Sequence, residues 1–115
     1  MKLNKMRNIR IEIDGIKFQS IKEGKRYSDL KMLVRAGLIS HLIVQPKAYI
    51  VMDKKFNVSK NRHITYRLDF KYYDIELKKF IHEDVKGRKK GTQYDLFLLK
   101  KCLMKQIYNI DVIEI

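Results

Sequence analysis

From His63 to Tyr73 the chain alternates with a period of two. Ile64, Tyr66, Leu68, Phe70 and Tyr72 fall on one side; Thr65, Arg67, Asp69, Lys71 and Tyr73 fall on the other. Only an extended strand gathers such a set onto a single face. A turn near Asp74 leads into another strand, about 78–86, in which Phe80, His82, Asp84 and Lys86 share a face and Ile81, Glu83 and Val85 share the opposite one. Upstream, Ile9, Ile11 and Ile13 alternate, as do Ile16 and Phe18, and Asp14-Gly15 between them is a hairpin turn signal. Leu42 to Met52 reads as a strand region interrupted by Pro46, which implies an edge or a bulge there.

Two helices accompany these strands. Ser20 followed by Glu23 forms a capping box, Tyr27, Leu30 and Val34 follow at helical spacing, and Gly37 supplies the stop. Thr92 caps the second helix, with Asp95 at the box position; Leu96, Leu99, Leu103 and Ile107 form its apolar stripe and Asn109 ends it. Residues 110–115 read as a last strand. The order β-β-α-β-β-β-α-β predicts a mixed α/β fold, with a central mixed sheet flanked by two main helices. A chain of 115 residues fits one domain, spanning 1–115, with 1–8 as a flexible basic start. At this length roughly 65% of the unfolded surface is buried, enough for one core and not two.

Twenty-six Lys and Arg against 13 Asp and Glu leave a formal charge of +13. So strong a field on a small domain favours a polyanionic partner, with nucleic acid ahead of an anionic membrane surface. A Lys-rich solvated surface is the plainer alternative. The cations cluster at Lys54-Lys55, Lys60-Asn61-Arg62, Lys86 to Lys90 and Lys100-Lys101. No apolar run of about 18 residues is present, which excludes a spanning helix, and the start lacks the apolar stretch of a secretory signal. The single cysteine, Cys102, excludes an internal disulfide and a four-Cys zinc site, and a reducing cytoplasmic setting is expected. His41, His63 and His82 are too scattered for a zinc signature.

One constellation matches a known chemistry. Phosphodiester hydrolysis uses a divalent ion, carboxylates that hold it, and a nearby cation that orients the nucleophile or stabilises charge. Asp69 lies on the polar face of one strand and Asp84 on the next; in a hairpin they can converge. Lys86 shares the face of Asp84, whereas Glu83, the rival acid, points away from it. Glu23 lies on the core-facing stripe with Tyr27 and Leu30, where an acid needs a partner; the capping box is its plainer explanation. Asp69 pairing with Arg67 or Lys71, and Asp84 with Lys86 as a surface ion pair, are the alternatives for the others. His82 is either a half-buried structural residue or an approach to metal or phosphate.

Asp69 followed by Asp84-Val85-Lys86 resembles the bipartite motif of the PD-(D/E)XK nuclease superfamily. Phe18 to Glu23, Gln45-Pro46-Lys47, Leu68-Asp69-Phe70, Glu83 to Gly87 and Tyr94…Lys100 further resemble small phage-encoded endonucleases of the Holliday-junction-resolvase-like or TnsA-like kind. Leu68 stands where the superfamily name has proline. The resemblance implies that Glu23, Asp69 and Asp84, with the Val85 carbonyl, bind Mg²⁺ or in its place Mn²⁺, and that Lys86 is the catalytic lysine. It implies auxiliary roles for Gln45 and Tyr94. Arg88, Lys89 and Lys90, beside the catalytic lysine, and Lys100 and Lys101 on the second helix are the expected phosphate contacts. A charged surface turn and a solvated helix face are the alternatives for these five. The implied activity is metal-dependent DNA endonuclease cleavage of branched DNA, by a homodimer matched to the junction's two-fold symmetry, acting with other phage recombination or packaging proteins. A non-catalytic nucleic-acid-binding module, or a nuclease subunit that needs a partner, is the other expectation.

Overall fold

The structure, a computed structural model, describes residues 9–115; the flexible basic start expected at 1–8 lies outside the described residues. β1 (Ile11–Ile13) and β2 (Ile16–Phe18) form the expected hairpin. Asp14 and Gly15 both take positive φ, 53° and 77°, as the favoured two-residue turn demands. α1 (Ile21–Arg35) begins at Ser20, whose hydroxyl accepts the Glu23 backbone N–H at 3.1 Å. It ends as foreseen. The Gly37 and Leu38 N–H groups return to the Val34 and Leu33 carbonyls, each at 3.0 Å, with Gly37 at φ 74°.

The two long strands foreseen in the middle of the chain each divide. The 42–52 region becomes β3 (Ile39–Val44) and β4 (Tyr49–Met52), and 63–73 becomes β5 (Ile64–Tyr66) and β6 (Phe70–Asp74). After β7 (Lys79–Asp84) come α2 (Thr92–Tyr108) and β8 (Val112–Glu114). The order is therefore β-β-α-β-β-β-β-β-α-β, two strands more than expected. The cause lies in one tertiary contact. Gln45 adopts a left-handed backbone (φ 50°) before Pro46, ending β3, and its N–H donates to the Asp69 carbonyl at 2.8 Å. That bond holds the chain at Asp69, where it bends between β5 and β6.

β3, β6, β7 and β8 form a four-stranded sheet in that order. The first two pairings are antiparallel; β7 and β8 run parallel, joined by α2 as a crossover. α1 covers one face, closing a core of Phe18, Tyr27, Leu30, Ile39, Phe70, Tyr72 and Ile81. The β4–β5 hairpin packs with α2 around a second core of Val51, Tyr66, Leu68, Phe97, Met104 and Val112. The alternating stripe of 64–72 thus serves two cores rather than one, because the bend at Asp69 separates Tyr66 and Leu68 from Phe70 and Tyr72.

α2 also departs from expectation. Its cap residue is Gly91, not Thr92, and no side chain bonds the first turn. Its buried residues are Phe97 and Met104, while Leu96, Leu99 and Ile107 are exposed and Leu103 is half-buried. Residues 96–99 are apolar without a break, so helical spacing offers two stripes; the β4–β5 hairpin selects the one carrying Phe97.

α1 sits close to the first hairpin at Gly24. A Cβ there would lie 2.3 Å from Ile11 Cδ1 and 3.2 Å from Ile13 Cδ1. Gly24→Val is expected to destabilise the fold by about 1–3 kcal/mol through overpacking, read as a lower thermal midpoint. An unchanged midpoint would show that the hairpin does not pack on this helix. Among the described residues, no helix is long and apolar enough to cross a membrane.

Candidate active site

The β6–β7 hairpin pairs Phe70 with Glu83 and Lys71 with His82. Continued by one residue, that register sets Asp69 opposite Asp84. Asp69 is held by three backbone bonds. Its N–H donates to the Glu83 carbonyl at 3.1 Å, its carbonyl accepts the Gln45 N–H at 2.8 Å, and its carboxylate accepts the Val85 N–H at 2.7 Å. Asp84 closes β7 and is buried. Glu23, in the first turn of α1, is also buried. Its carboxyl interacts with Asp69, with the Gln19 backbone and with the Gln45 side chain, rather than reaching back to Ser20 as a closed capping box would. Asp69 in turn interacts with Asp84. Asp69 therefore neighbours both of the other acids singled out in the sequence, at one end of the sheet.

Their closeness has an electrostatic consequence. Burial first, then the hydrogen bond and charge of Asp84, push the Asp69 carboxyl up to about 8, against the pull of the Val85 N–H. Burial raises Glu23 as well, helped by the charge of Asp84 and opposed by its hydrogen bonds to Asp69, Gln19 and Gln45. Asp69 is the middle of the chain of acids, in contact with both others. Among the described residues, no three His, Cys, Asp or Glu side chains are grouped so that they could hold a metal ion.

Lys86 completes the cluster. Its Nζ lies 3.3 Å from Asp84 Oδ2 and 4.0 Å from the centroid of the Phe97 ring. Its backbone carbonyl accepts Lys22 Nζ at 2.7 Å. On the other side of Asp84, the Tyr66 hydroxyl donates to Oδ2. Desolvation and the adjacent carboxylate raise the Tyr66 phenol far above its ordinary range, so it remains a donor. Tyr66 and Phe97 themselves pack with centroids 6.2 Å apart. Glu83 points to the α1 face, as strand alternation requires. There it accepts Arg26 Nε at 2.8 Å, Arg26 Nη2 at 2.5 Å and the Tyr72 hydroxyl at 2.6 Å.

The remaining expected residues divide. Gln45 joins the acids, its amide donating to the Lys17 carbonyl at 2.8 Å. Tyr94 does not: its hydroxyl donates to Glu114 at 2.8 Å. Lys101 and Lys89 also turn to Glu114, at 3.3 Å and 3.9 Å, so the end of β8 partly neutralises two of the expected phosphate contacts. Arg88 and Lys90 are exposed in the loop. Lys100 reaches instead to the Thr65 carbonyl at 3.0 Å. His82 stays away from the acids. It pairs across the hairpin with Lys71 and lines a cavity with Asn109, Ile110 and Asp111; burial and Lys71 lower its pKa.

In the sequence Tyr66 reads only as a core residue, and nothing there singles out Phe97, Glu114 or Arg26. Tyr66 carries one signal: a hydroxyl on an otherwise apolar strand face needs a buried acceptor. No curated protein and no solved structure matches this chain. A family model described as "Protein of unknown function (DUF1064)" matches residues 3–113, and the chain belongs to that family.

Proposed function

We propose that this protein is a divalent-metal-dependent DNA endonuclease of the PD-(D/E)XK type, acting on branched DNA. The observation that carries the reading is the position of Asp69 between Glu23 and Asp84, with the Lys86 ammonium 3.3 Å from Asp84. Buried carboxyls in contact need a proton or a cation between them. The donors are all hard oxygens, which suits Mg²⁺, with Mn²⁺ as a substitute. Asp69, Asp84 and Glu23, with the Val85 carbonyl, would hold it once their side chains turn toward one point, around which they are not grouped in this fold. When bound, it supplies an activated water and neutralises charge on the scissile phosphate.

The chain's own residues do the rest. Lys86, braced by Phe97 and Asp84, presents its ammonium to the attacking oxygen or the phosphate. Tyr66 fixes the rotamer of Asp84. Val85 fixes Asp69. Arg88, Lys89 and Lys90 follow Lys86 after Gly87 and would contact the phosphates on either side, Lys89 by leaving Glu114. Such contacts position a duplex without reading its sequence, which fits recognition by DNA shape. A four-way junction has two-fold symmetry, so paired cuts fit a homodimer, with phage recombination or packaging proteins as further partners.

The test is incubation with supercoiled plasmid and with a synthetic four-way junction, in Mg²⁺, in Mn²⁺ and in EDTA. Cleavage in either metal and none in EDTA is expected. Salt-sensitive binding with no cutting under any condition overturns the enzyme. The charge of +13 would then support the second reading, a nucleic-acid-binding module on the same fold.

A further inference from the structure

A second basic feature lies outside the acid cluster. An open cleft of about 670 Å³ runs between the 57–65 segment and α2. Lys60, Arg62, His63 and Thr65 line one wall; Leu96 and Lys100 line the other. Among the described residues that line it, none is Asp or Glu. The lining gathers Lys60, Arg62 and Lys100 with no acid among them, an arrangement whose repulsion an anion relieves.

The histidine is set for the same purpose. His63 Nδ1 accepts the Lys54 backbone N–H at 2.9 Å, so its proton sits on Nε2, which is left as a donor. Lys100 is anchored on the Thr65 carbonyl at 3.0 Å, tying the two walls together.

The position of the cleft gives it meaning. One wall continues along β5 to Tyr66, which bonds Asp84; the other continues along α2 to Phe97, which braces Lys86. His63 and Tyr66 are three residues apart, about 10 Å along an extended strand. Lys100 and Phe97 are also three apart, about 5 Å along a helix. Along the backbone, each wall of the cleft thus lies within about 10 Å of a residue that contacts Asp84 or Lys86.

We infer that this cleft is a nucleic-acid phosphate track, which holds the strand leading away from the cut site. The inference rests on the proposed endonuclease reading for its direction, and on the charge and lining of the cleft for its ligand. Lys60, Arg62, His63 and Lys100 contact successive phosphates; Leu96 and Ile64 give the sugar face an apolar floor.

The test measures binding apart from cutting. A fluorescein-labelled four-way junction, and a duplex of the same sequence, are titrated in EDTA across a KCl series. Lys60→Ala/Arg62→Ala is compared with Lys25→Ala/Arg35→Ala, which removes the same charge from the exposed side of α1. All four residues are exposed, so both variants fold. The cleft variant is expected to lose about two units of salt slope, and about tenfold to a hundredfold in affinity near 0.1 M salt. The α1 variant is expected to keep the wild-type slope. Equal losses in the two variants, or none in the cleft variant, overturn the inference. Failure here leaves metal-dependent cleavage by the wild type intact. A wild type that never cuts, with the cleft variant still weakened, removes the endonuclease reading and leaves the track standing.

Discussion

Asp84→Asn and Asp69→Asn are each expected to reduce Mg²⁺-dependent DNA cleavage at least about a hundredfold, while DNA binding in EDTA is equal or tighter. The two effects separate for a structural reason. An amide in place of the Asp84 carboxylate keeps an oxygen that accepts the Tyr66 hydroxyl, and one in place of the Asp69 carboxylate keeps an oxygen that accepts the Val85 N–H. The local bonds that shape the site therefore persist. What the Asp84 variant loses is a negative charge, which helps to hold a divalent ion and repels a phosphate when the ion is absent; what the Asp69 variant loses is a carboxyl that an ion can deprotonate. Lys86→Ala is expected to lose activity similarly, and Tyr66→Phe about tenfold to a hundredfold, since Tyr66 acts by orienting Asp84. Single-turnover cleavage and anisotropy binding, measured on the same preparations, check all four. An Asp84→Asn protein that cuts the four-way junction at the wild-type rate sinks the assignment.

The acid cluster was legible because it depends on a local rule. Two strands joined by a short turn place residues equally far from that turn opposite each other, and Asp69 and Asp84 are such a pair about the 75–78 turn. Alternation then separates Lys86, beside Asp84, from Glu83, which goes to Arg26. Glu23 was ambiguous in the sequence, since a cap and a site acid look alike there. In the fold Glu23 does both: its N–H is capped by Ser20, and its buried carboxyl interacts with Asp69.

What escaped the sequence was tertiary. No local pattern announces that Gln45 will turn left-handed and bond Asp69, and that one contact splits two strands. Nor could helical spacing choose between the stripe of Leu96 and Leu99 and that of Phe97 and Met104, because both arcs of α2 are apolar. The choice rests on where the β4–β5 hairpin packs. Rotating α2 onto Phe97 is what puts a ring under Lys86 and turns Lys101 and Tyr94 toward Glu114. The orientations of Tyr94 and Lys101 thus follow from how α2 packs on the β4–β5 hairpin, a contact that helical spacing does not encode.

The metal-free protein is expected to lose stability, by on the order of a few kcal/mol, as pH rises from about 5 to about 8. The sign follows from Asp69. Its carboxyl has the ordinary value of 3.8 when unfolded and is raised to about 8 in the fold. Between those values the folded state holds a proton that the unfolded state has released, so stability falls as pH rises and the penalty is complete above the upper value. Glu23, also raised, acts in the same direction. His82, lowered by burial, acts in the opposite one below its ordinary 6.5, and Glu114, lowered by its partners Tyr94 and Lys101, matters only at more acid pH. The difference between wild type and Asp69→Asn cancels these other groups. Asp69→Asn should therefore be less stable than or equal to wild type near pH 5 and more stable near pH 8, in denaturant titrations at both values. Mg²⁺ or Mn²⁺ should raise the wild-type midpoint more at pH 8 than at pH 5, because fewer protons compete with the ion there, and should raise that of Asp69→Asn little. A wild type whose stability runs parallel to that of Asp69→Asn from pH 5 to pH 8 would mean that the three carboxyls do not share a buried site.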